Sequence, residues 1–413
     1  MRNVWLLTFV VQLYGLSIGL FQVATPQACQ QLNMTSDNLG LTCTLAAVGY
    51  VTGCLFLGQL FRRVRGKYVL IGGVALTILS GILMARASTV PEACAAQLLS
   101  GIGQGAFWPF ASAWMLDFQS EGASKTRILR HYNLAWTSGT AIGLFAGGWI
   151  CGSGWIFETF YISCGALVLV LALACKPNST SAQRVGGEIT GTGHVLVRTP
   201  GALFAAAITL NLIALGLRTT IQNNYTELNH ALGFGAERMG MIPACIIVGQ
   251  LCAFGFGKVY EPFLGMRRTY FFIAVCLSGI AVTFAYVQSL PVLMAATFIF
   301  GLVLAMSFQT GILAATTFFK SPRTGTTVHE AVIGSGNGAP ILSGLLIQFG
   351  KNAGWEELDA LRAPFIVFAL LALVLFALQQ GLITSQHAAR VLLRPAPPAD
   401  SFPKVDQVAP LST

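Results

Sequence analysis

Long apolar runs separated by short polar segments make up the hydrophobic pattern of this chain. Each run of about 20 residues is long enough for a helix to cross roughly 30 Å of hydrocarbon. The predicted spans are 4–24, 39–61, 68–86, 92–117, 129–150, 154–175, 201–222, 236–257, 269–288, 291–318, 326–350 and 361–383. The first run, behind Arg2, is also typical of a signal peptide; we interpret it as a retained span because the number of spans is then even. The pattern predicts an all-α polytopic membrane protein with twelve transmembrane helices.

Composition and charge support this class and give an orientation. Hydrophobic residues make up 54% of the chain and charged residues 9%, with a mean hydropathy of +0.69, against roughly 25% charged residues in soluble domains. Placing both termini in the cytoplasm puts every Lys and Arg on that side except Arg86, Arg218, Arg238, Lys351 and Arg362. Cations concentrate in cytoplasmic loops, so orientation in a lipid bilayer explains the net charge of +9. We expect an integral plasma-membrane protein, in the inner membrane if the host is bacterial.

The chain divides into two similar halves. We predict an N-terminal six-helix half at 1–175, a cytoplasmic linker at 176–200, a C-terminal six-helix half at 201–383 and a disordered, proline-rich cytoplasmic tail at 384–413. The basic segment that starts at Gly58 returns at Gly257, 199 positions later (257 − 58), and Gly139 of span 5 has a counterpart in Gly336 of span 11, 197 positions later (336 − 139). Parallel six-span repeats occur in secondary transporters whose substrate site lies near the midplane.

The segment between spans 2 and 3 carries a recognisable motif. Four positions match the pattern G-x-L-x-D-R-x-G-R-K: Gly58, Leu60, Arg63 and Lys67. On this motif and the doubled architecture, the chain resembles the major facilitator superfamily over all twelve spans. Arg62 stands at the acidic position of the motif and Arg65 at its inner glycine, whereas the second copy retains an acid, Glu261. The resemblance implies two six-helix pseudo-repeats and transport by alternating access.

Span 5 contains a glycine motif that has two interpretations. It is similar to the antiporter motif G-x-x-x-G-P-x-x-G-G of the same family, with Leu144 at the proline position and glycines at Gly139, Gly143, Gly147 and Gly148. Glycines at a spacing of four allow close helix packing, which is the first interpretation. The second is a proton-coupled drug or metabolite antiporter, which Leu99 disfavours because drug antiporters usually carry an arginine at the corresponding position of span 4.

Polar residues in spans 1, 4, 7 and 10 are candidates for a substrate cavity, because the resemblance implies that these spans line it. The candidates are Gln12, Tyr14, Gln104, Trp108, Asn211, Arg218, Gln222 and Gln309. The three in span 7 share one helix face, and we expect Arg218 to attract an anionic substrate group. The alternative is that Arg218, four residues from the predicted end of its span, snorkels to the interface. For the other candidates the alternative is helix packing.

A second group of charged residues is expected at the cytoplasmic gate: Arg62, Arg63, Arg65, Asp117, Glu261, Arg267 and Glu330. Asp117, at the cytoplasmic end of span 4, is expected to replace the missing acid of the motif and to hold the outward-open state. His329 and Glu330 form a possible proton relay, because histidine titrates near neutrality; the alternative is that both, like His131, lie at solvated helix ends. Spans 1, 4, 7 and 10 place no carboxylate near mid-membrane.

These features predict a secondary transporter of a small organic solute. The alternatives are the antiporter and a membrane scaffold or sensor that has the fold without transport. No P-loop, metal-ligand spacing or nucleophile constellation occurs, so neither an enzyme nor a cofactor or metal is expected. The expected partners are a small-molecule substrate, the bilayer and a coupling proton or ion, with no nucleic acid, and the expected state is a monomer.

Overall fold

The structure is a computed structural model, and it describes residues 2–57, 66–117, 125–175, 201–235, 238, 240–264, 266–319 and 322–382. The predicted linker and the predicted tail lie outside the described residues, as does the motif segment 58–65. Within the described ranges the chain forms helices and turns and no strand.

Besides a short helix at Gly257–Tyr260 and a 3₁₀ turn at Glu261–Phe263, twelve long helices follow one another in the described ranges. They are α1 (Arg2–Gln31), α2 (Ser36–Thr52, continued by a π-helical turn at Gly53–Leu57), α3 (Gly66–Arg86), α4 (Val90–Asp117), α5 (Lys125–Gly152), α6 (Ile156–Ala174), α7 (Gly201–Ala231), α8 (Met241–Gly255), α9 (Arg267–Tyr286), α10 (Leu290–Phe318), α11 (Pro322–Gly336 and Pro340–Asn352) and α12 (Glu357–Leu382). Each coincides with one predicted span. Ten of the helices that the structure describes are long and apolar enough to cross a membrane. The all-α, twelve-helix prediction is confirmed.

The helices differ from the predicted spans mainly at their ends. Helix α7 runs to Ala231, nine residues beyond the predicted end at 222 (231 − 222). Helix α11 begins at Pro322 instead of 326 and is interrupted between Gly336 and Pro340. Proline has no backbone N–H and is favoured in the first turn of a helix, so the second segment of α11 starts there.

Each half of the chain has its own hydrophobic core. One core takes all its buried residues from positions 7–174, including Leu70, Phe107 and Leu167. Another takes its buried residues from positions 206–375, including Phe284 and Phe365. A third core joins the halves, because it combines buried residues from positions 21–160 with Ala244 and Ile247 of α8.

The glycines of α5 lie against α1. A Cβ atom added at Gly139 would clash with the carbonyl oxygen of Gln12, and one added at Gly143 would clash with that of Leu16. At Gly147 the added atom would lie 3.3 Å from the Cα atom of Leu20. The first three glycines of the motif therefore allow two helix backbones of the same half to touch.

The halves meet at the end of the bundle that holds the α1–α2, α7–α8 and α11–α12 connections, which is the predicted outer end. There Gly148 of α5 lies against Gly240 at the start of α8, and Gly344 of α11 lies against the carbonyl oxygen of Ser36 in α2. The hydroxyl of Thr44 in α2 donates to the carbonyl oxygen of Gly338 over 2.9 Å. We call this set of contacts the outer-end seam.

A polar cluster reinforces the outer-end seam. The Nζ atom of Lys351 lies 3.0 Å from an oxygen of Glu227, and both residues belong to the C-terminal half. The hydroxyl of Ser36, from the N-terminal half, donates to Glu227 at 3.0 Å and accepts from Lys351 at 3.1 Å. Ser36 therefore connects the N-terminal half to an ion pair of the C-terminal half.

Candidate functional site

A cavity lies between the two halves. Its wall combines side chains of α1, α2, α4 and α5 with side chains of α7, α8, α10 and α11; the polar and aromatic members are Gln22, Tyr50, Gln104, Trp108, Tyr132, Trp136, Thr140, Arg218, Gln250, Phe308, Glu330 and Asn337. An adjoining cavity shares Gln22, Tyr50, Gln104 and Asn337 and extends to Gln97 and Gln222. The mixed polar and aromatic lining is typical of small-molecule sites.

Arg218 lies in the wall of the cavity, far from the ends of its helix. Helix α7 continues for 13 residues beyond it (231 − 218), about 20 Å at 1.5 Å per residue. The buried Nε atom of Arg218 has no hydrogen-bond partner, and no carboxylate lies within ion-pair distance of it among the residues that the structure describes.

A hydrogen bond between the halves crosses the cavity wall. The hydroxyl of Tyr50 in α2 donates to the Oε2 atom of Glu330 in α11 over 2.5 Å, and the two residues are 7% and 4% exposed. His329, beside Glu330, is completely buried, and its ring packs against Phe308 with the ring centres 4.8 Å apart.

The positions of His329 and Glu330 correct two expectations. Both side chains are buried, which contradicts the alternative of a solvated helix end; His131, by contrast, is exposed. Glu330 lies eight residues inside α11 (330 − 322) and faces the cavity, so it is not part of a gate at the cytoplasmic surface. The carboxylate in the cavity wall comes from span 11, outside spans 1, 4, 7 and 10.

Aromatic rings from both halves form one side of the cavity. Trp108 and Trp136 have their ring centres 6.3 Å apart at an interplanar angle of 67°, and Trp136 lies 6.3 Å from Phe308 at 49°. The indole N–H of Trp136 donates to Asn133 over 3.1 Å, which fixes the ring on α5. Trp136 and Tyr50 escaped sequence reasoning because they lie in spans 5 and 2, where an aromatic residue in an apolar run gives no polar signal.

Three predicted cavity residues contact neighbouring helices, and a fourth is buried. Tyr14 is completely buried in the N-terminal core, with its hydroxyl 3.0 Å from that of Thr77, and Gln12 donates to Ser138 of α5 over 3.2 Å. The Oδ1 atom of Asn211 accepts from Ser307 of α10 over 3.0 Å. Gln309 is buried on α10. The first three connect helices, which is the packing alternative, whereas Gln104, Trp108, Arg218 and Gln222 line the cavities.

The remaining residues of the predicted cytoplasmic gate have no described side chains. Arg62, Arg63 and Arg65 lie outside the described residues. The side chains of Asp117, Glu261 and Arg267 lie outside them too. The cytoplasmic gate stays a prediction.

Several related proteins that are named as transporters align with parts of the chain. The 4-hydroxybenzoate transporter PcaK of Pseudomonas aeruginosa is 27% identical over 177 residues, which are 42% of this chain and 38% of that protein. The arabinose-proton symporter of Escherichia coli K12 is 27% identical over 168 residues, 40% of this chain and 35% of that protein. These alignments span less than half the length of either relative.

Solved structures show the same fold over almost the whole chain. The nucleoside transporter NupG superposes with a TM-score of 0.72 over 94% of this chain and 100% of that one, at 12% identity. The fucose:proton symporter FucP of E. coli gives 0.62 over 93% and 99%, at 15% identity. The family model described as Major Facilitator Superfamily matches residues 7–328. The twelve-helix architecture, the cavity between its halves and this match agree: the chain is an integral membrane protein that belongs to the major facilitator superfamily.

Proposed function

We propose that this protein is a secondary transporter that moves a small organic solute across the membrane by alternating access. The observation that carries this proposal is a cavity lined by both halves, inside a bundle whose halves are in close contact at the outer-end seam. A site of this kind changes the side from which it is accessible when the halves rock against each other. The relatives are named for an aromatic acid and a sugar, which supports a small solute without selecting one.

The distribution of cations supports an orientation with both termini in the cytoplasm. The outer-end seam then faces outward, and the structure corresponds to a state closed toward the outside. The seam contacts and the Ser36 cluster would have to separate for the cavity to open outward.

We further propose Glu330 as the site of the coupling proton. An ionised carboxylate in a buried position needs a counter-charge, and a bound proton removes this need. The titratable groups around it are Tyr50 from α2, Cys54 from the π-helical turn that follows α2, Tyr132 from α5, Arg218 from α7 and its neighbour His329. Of these, Tyr50, Tyr132 and Arg218 line the same cavity. Tyr50 belongs to the other half. Its hydrogen bond to Glu330 is therefore affected both by a proton that binds Glu330 and by movement of the halves.

Transport in proteoliposomes tests both proposals. Solutes that bind the purified protein would be offered outside vesicles with and without an inward proton gradient. We expect gradient-driven accumulation by the native protein, loss of accumulation but retention of solute exchange in Glu330→Gln, and no change in Glu356→Gln, an exposed acid next to α12. Binding without transport would favour the scaffold alternative, and proton-driven accumulation by Glu330→Gln would refute the role of Glu330.

A further inference from the structure

The cavity contains a cation and an aromatic wall, and together they define a class of ligand. We propose that the transported solute is an organic anion with a planar ring, whose anionic group binds Arg218 and whose ring contacts Trp108 and Trp136. This inference rests on the proposed transport function and specifies its substrate.

The charge of the cavity favours an anion. A guanidinium group inside a membrane protein is normally paired or serves function, and Arg218 has no acidic partner among the described residues. The other charged residue in the lining, Glu330, already accepts a hydrogen bond from Tyr50. With a proton on Glu330, the charge of the lining is that of Arg218 alone. A planar guanidinium fork binds carboxylates and similar oxyanions in a bidentate manner.

The aromatic wall favours a planar ring in the same ligand. Trp108, Trp136 and Phe308 come from α4, α5 and α10, so the wall includes both halves, and their rings meet at 49° to 67° without stacking. A ligand ring can therefore make edge-to-face or offset contacts with them. Side-chain oxygens of Gln22, Gln250 and Asn337 are buried without a donor, and these can accept from hydroxyl or amine substituents of the ligand.

Matched ligand pairs provide a test that needs no variant. Binding of benzoate, 1-naphthoate and indole-3-acetate to the full-length protein in detergent would be measured by isothermal titration. Their uncharged amides, benzamide, 1-naphthamide and indole-3-acetamide, keep the ring and remove the charge. Cyclohexanecarboxylate keeps the charge and removes the aromatic face, and phenylalanine adds an ammonium group. We expect at least one aromatic acid to bind roughly 10- to 100-fold more tightly than its amide, the range of a charge-assisted hydrogen bond.

Variants then assign the preference to residues. Arg218→Gln should abolish the difference between acid and amide, Arg218→Lys should retain part of it, and Trp136→Leu should reduce the preference for benzoate over cyclohexanecarboxylate. Arg86→Gln is the matched control, because Arg86 is an exposed arginine at the end of α3. Melting temperatures would show that each variant is folded.

Several outcomes would overturn the inference. These are equal affinity for acid and amide, an undiminished acid preference in folded Arg218→Gln, tighter binding of phenylalanine than of every acid, and no binding of any acid. Transport is tested separately: if a sugar or a cation crosses the membrane and no aromatic acid binds, the substrate class is wrong and the transport function stands. If an aromatic acid binds at Arg218 and never crosses, the substrate site stands and the transport function is wrong.

Discussion

Removal of the Ser36 hydroxyl group best tests alternating access. Ser36 is 5% exposed, and it is the residue that the N-terminal half contributes to the polar cluster. The change Ser36→Ala removes its bonds to Glu227 and Lys351 and leaves the ion pair between those two residues, at 3.0 Å, within the C-terminal half. The substitution therefore weakens contact between the halves without creating an unpaired charge.

The expected effect follows from the two hydrogen bonds. A hydrogen bond to a charged group contributes about 1.5–3 kcal/mol when buried. Since the side chains of Glu227 and Lys351 are 15% and 32% exposed, we take about 1 kcal/mol for each bond. The loss of about 2 kcal/mol shifts the ratio of closed to open outer ends roughly 30-fold. An open state populated at about 1% would rise to about a quarter of the molecules.

Distances across the outer end would report this shift. Spin labels carried by ketone-bearing unnatural amino acids at Gln31 and Ala353, both exposed and in opposite halves, avoid the ten native cysteines. Double electron–electron resonance should show a larger long-distance population in Ser36→Ala than in the native protein. The control is Asp359→Asn, whose partner Arg362 lies at 4.0 Å on the same helix. An unchanged distance distribution in folded Ser36→Ala would refute the role of the polar cluster in closure.

Three further predictions concern helix contacts. Gly344→Ala should force α2 and α11 apart and increase the same long-distance population, whereas Gly279→Ala, with open space around the added Cβ atom, should not; equal distributions would contradict the close approach. Gly143→Leu should lower the yield of folded protein relative to Gly165→Leu, whose surroundings are open, and normal yield with altered coupling would favour the antiporter alternative. Gln97→Leu breaks a buried bond of 2.8 Å to Thr25 and should destabilise the fold by about 0.6–1.7 kcal/mol, seen as a lower melting temperature; no decrease would show that the bond contributes nothing.

The helices could be predicted from the sequence because the bilayer requires every backbone polar group to bond within its own segment. Hydropathy measures contact with lipid, however, and not the length of a helix. Residues 223–231 of α7 are mostly polar, yet they continue the helix and bring Glu227 to the outer-end seam. For the same reason, the predicted start of α11 is 326, whereas the helix begins at Pro322. The prediction therefore placed Glu330 closer to the surface than the structure does.

The site could be predicted only in part. Arg218 and Gln104 stood out because a polar residue inside an apolar run is costly without a function or a partner. Gln12 and Asn211 gave the same signal and turned out to join helices, since a hydrogen bond between helices and a contact with a ligand look alike in a sequence. Tyr50 and Trp136 needed the three-dimensional arrangement, because only the packing of α2 and α5 turns them toward the cavity.

The glycines of the outer-end seam have a thermodynamic consequence. Gly148, Gly240 and Gly344 have no side chains to immobilise, so closing these contacts freezes no rotamers, whereas an ordered long side chain loses up to about 2 kcal/mol of conformational entropy. The two surfaces therefore come into contact without rearrangement of side chains at these glycines. Closing the outer end at these glycines should therefore carry only a small entropy loss from side chains.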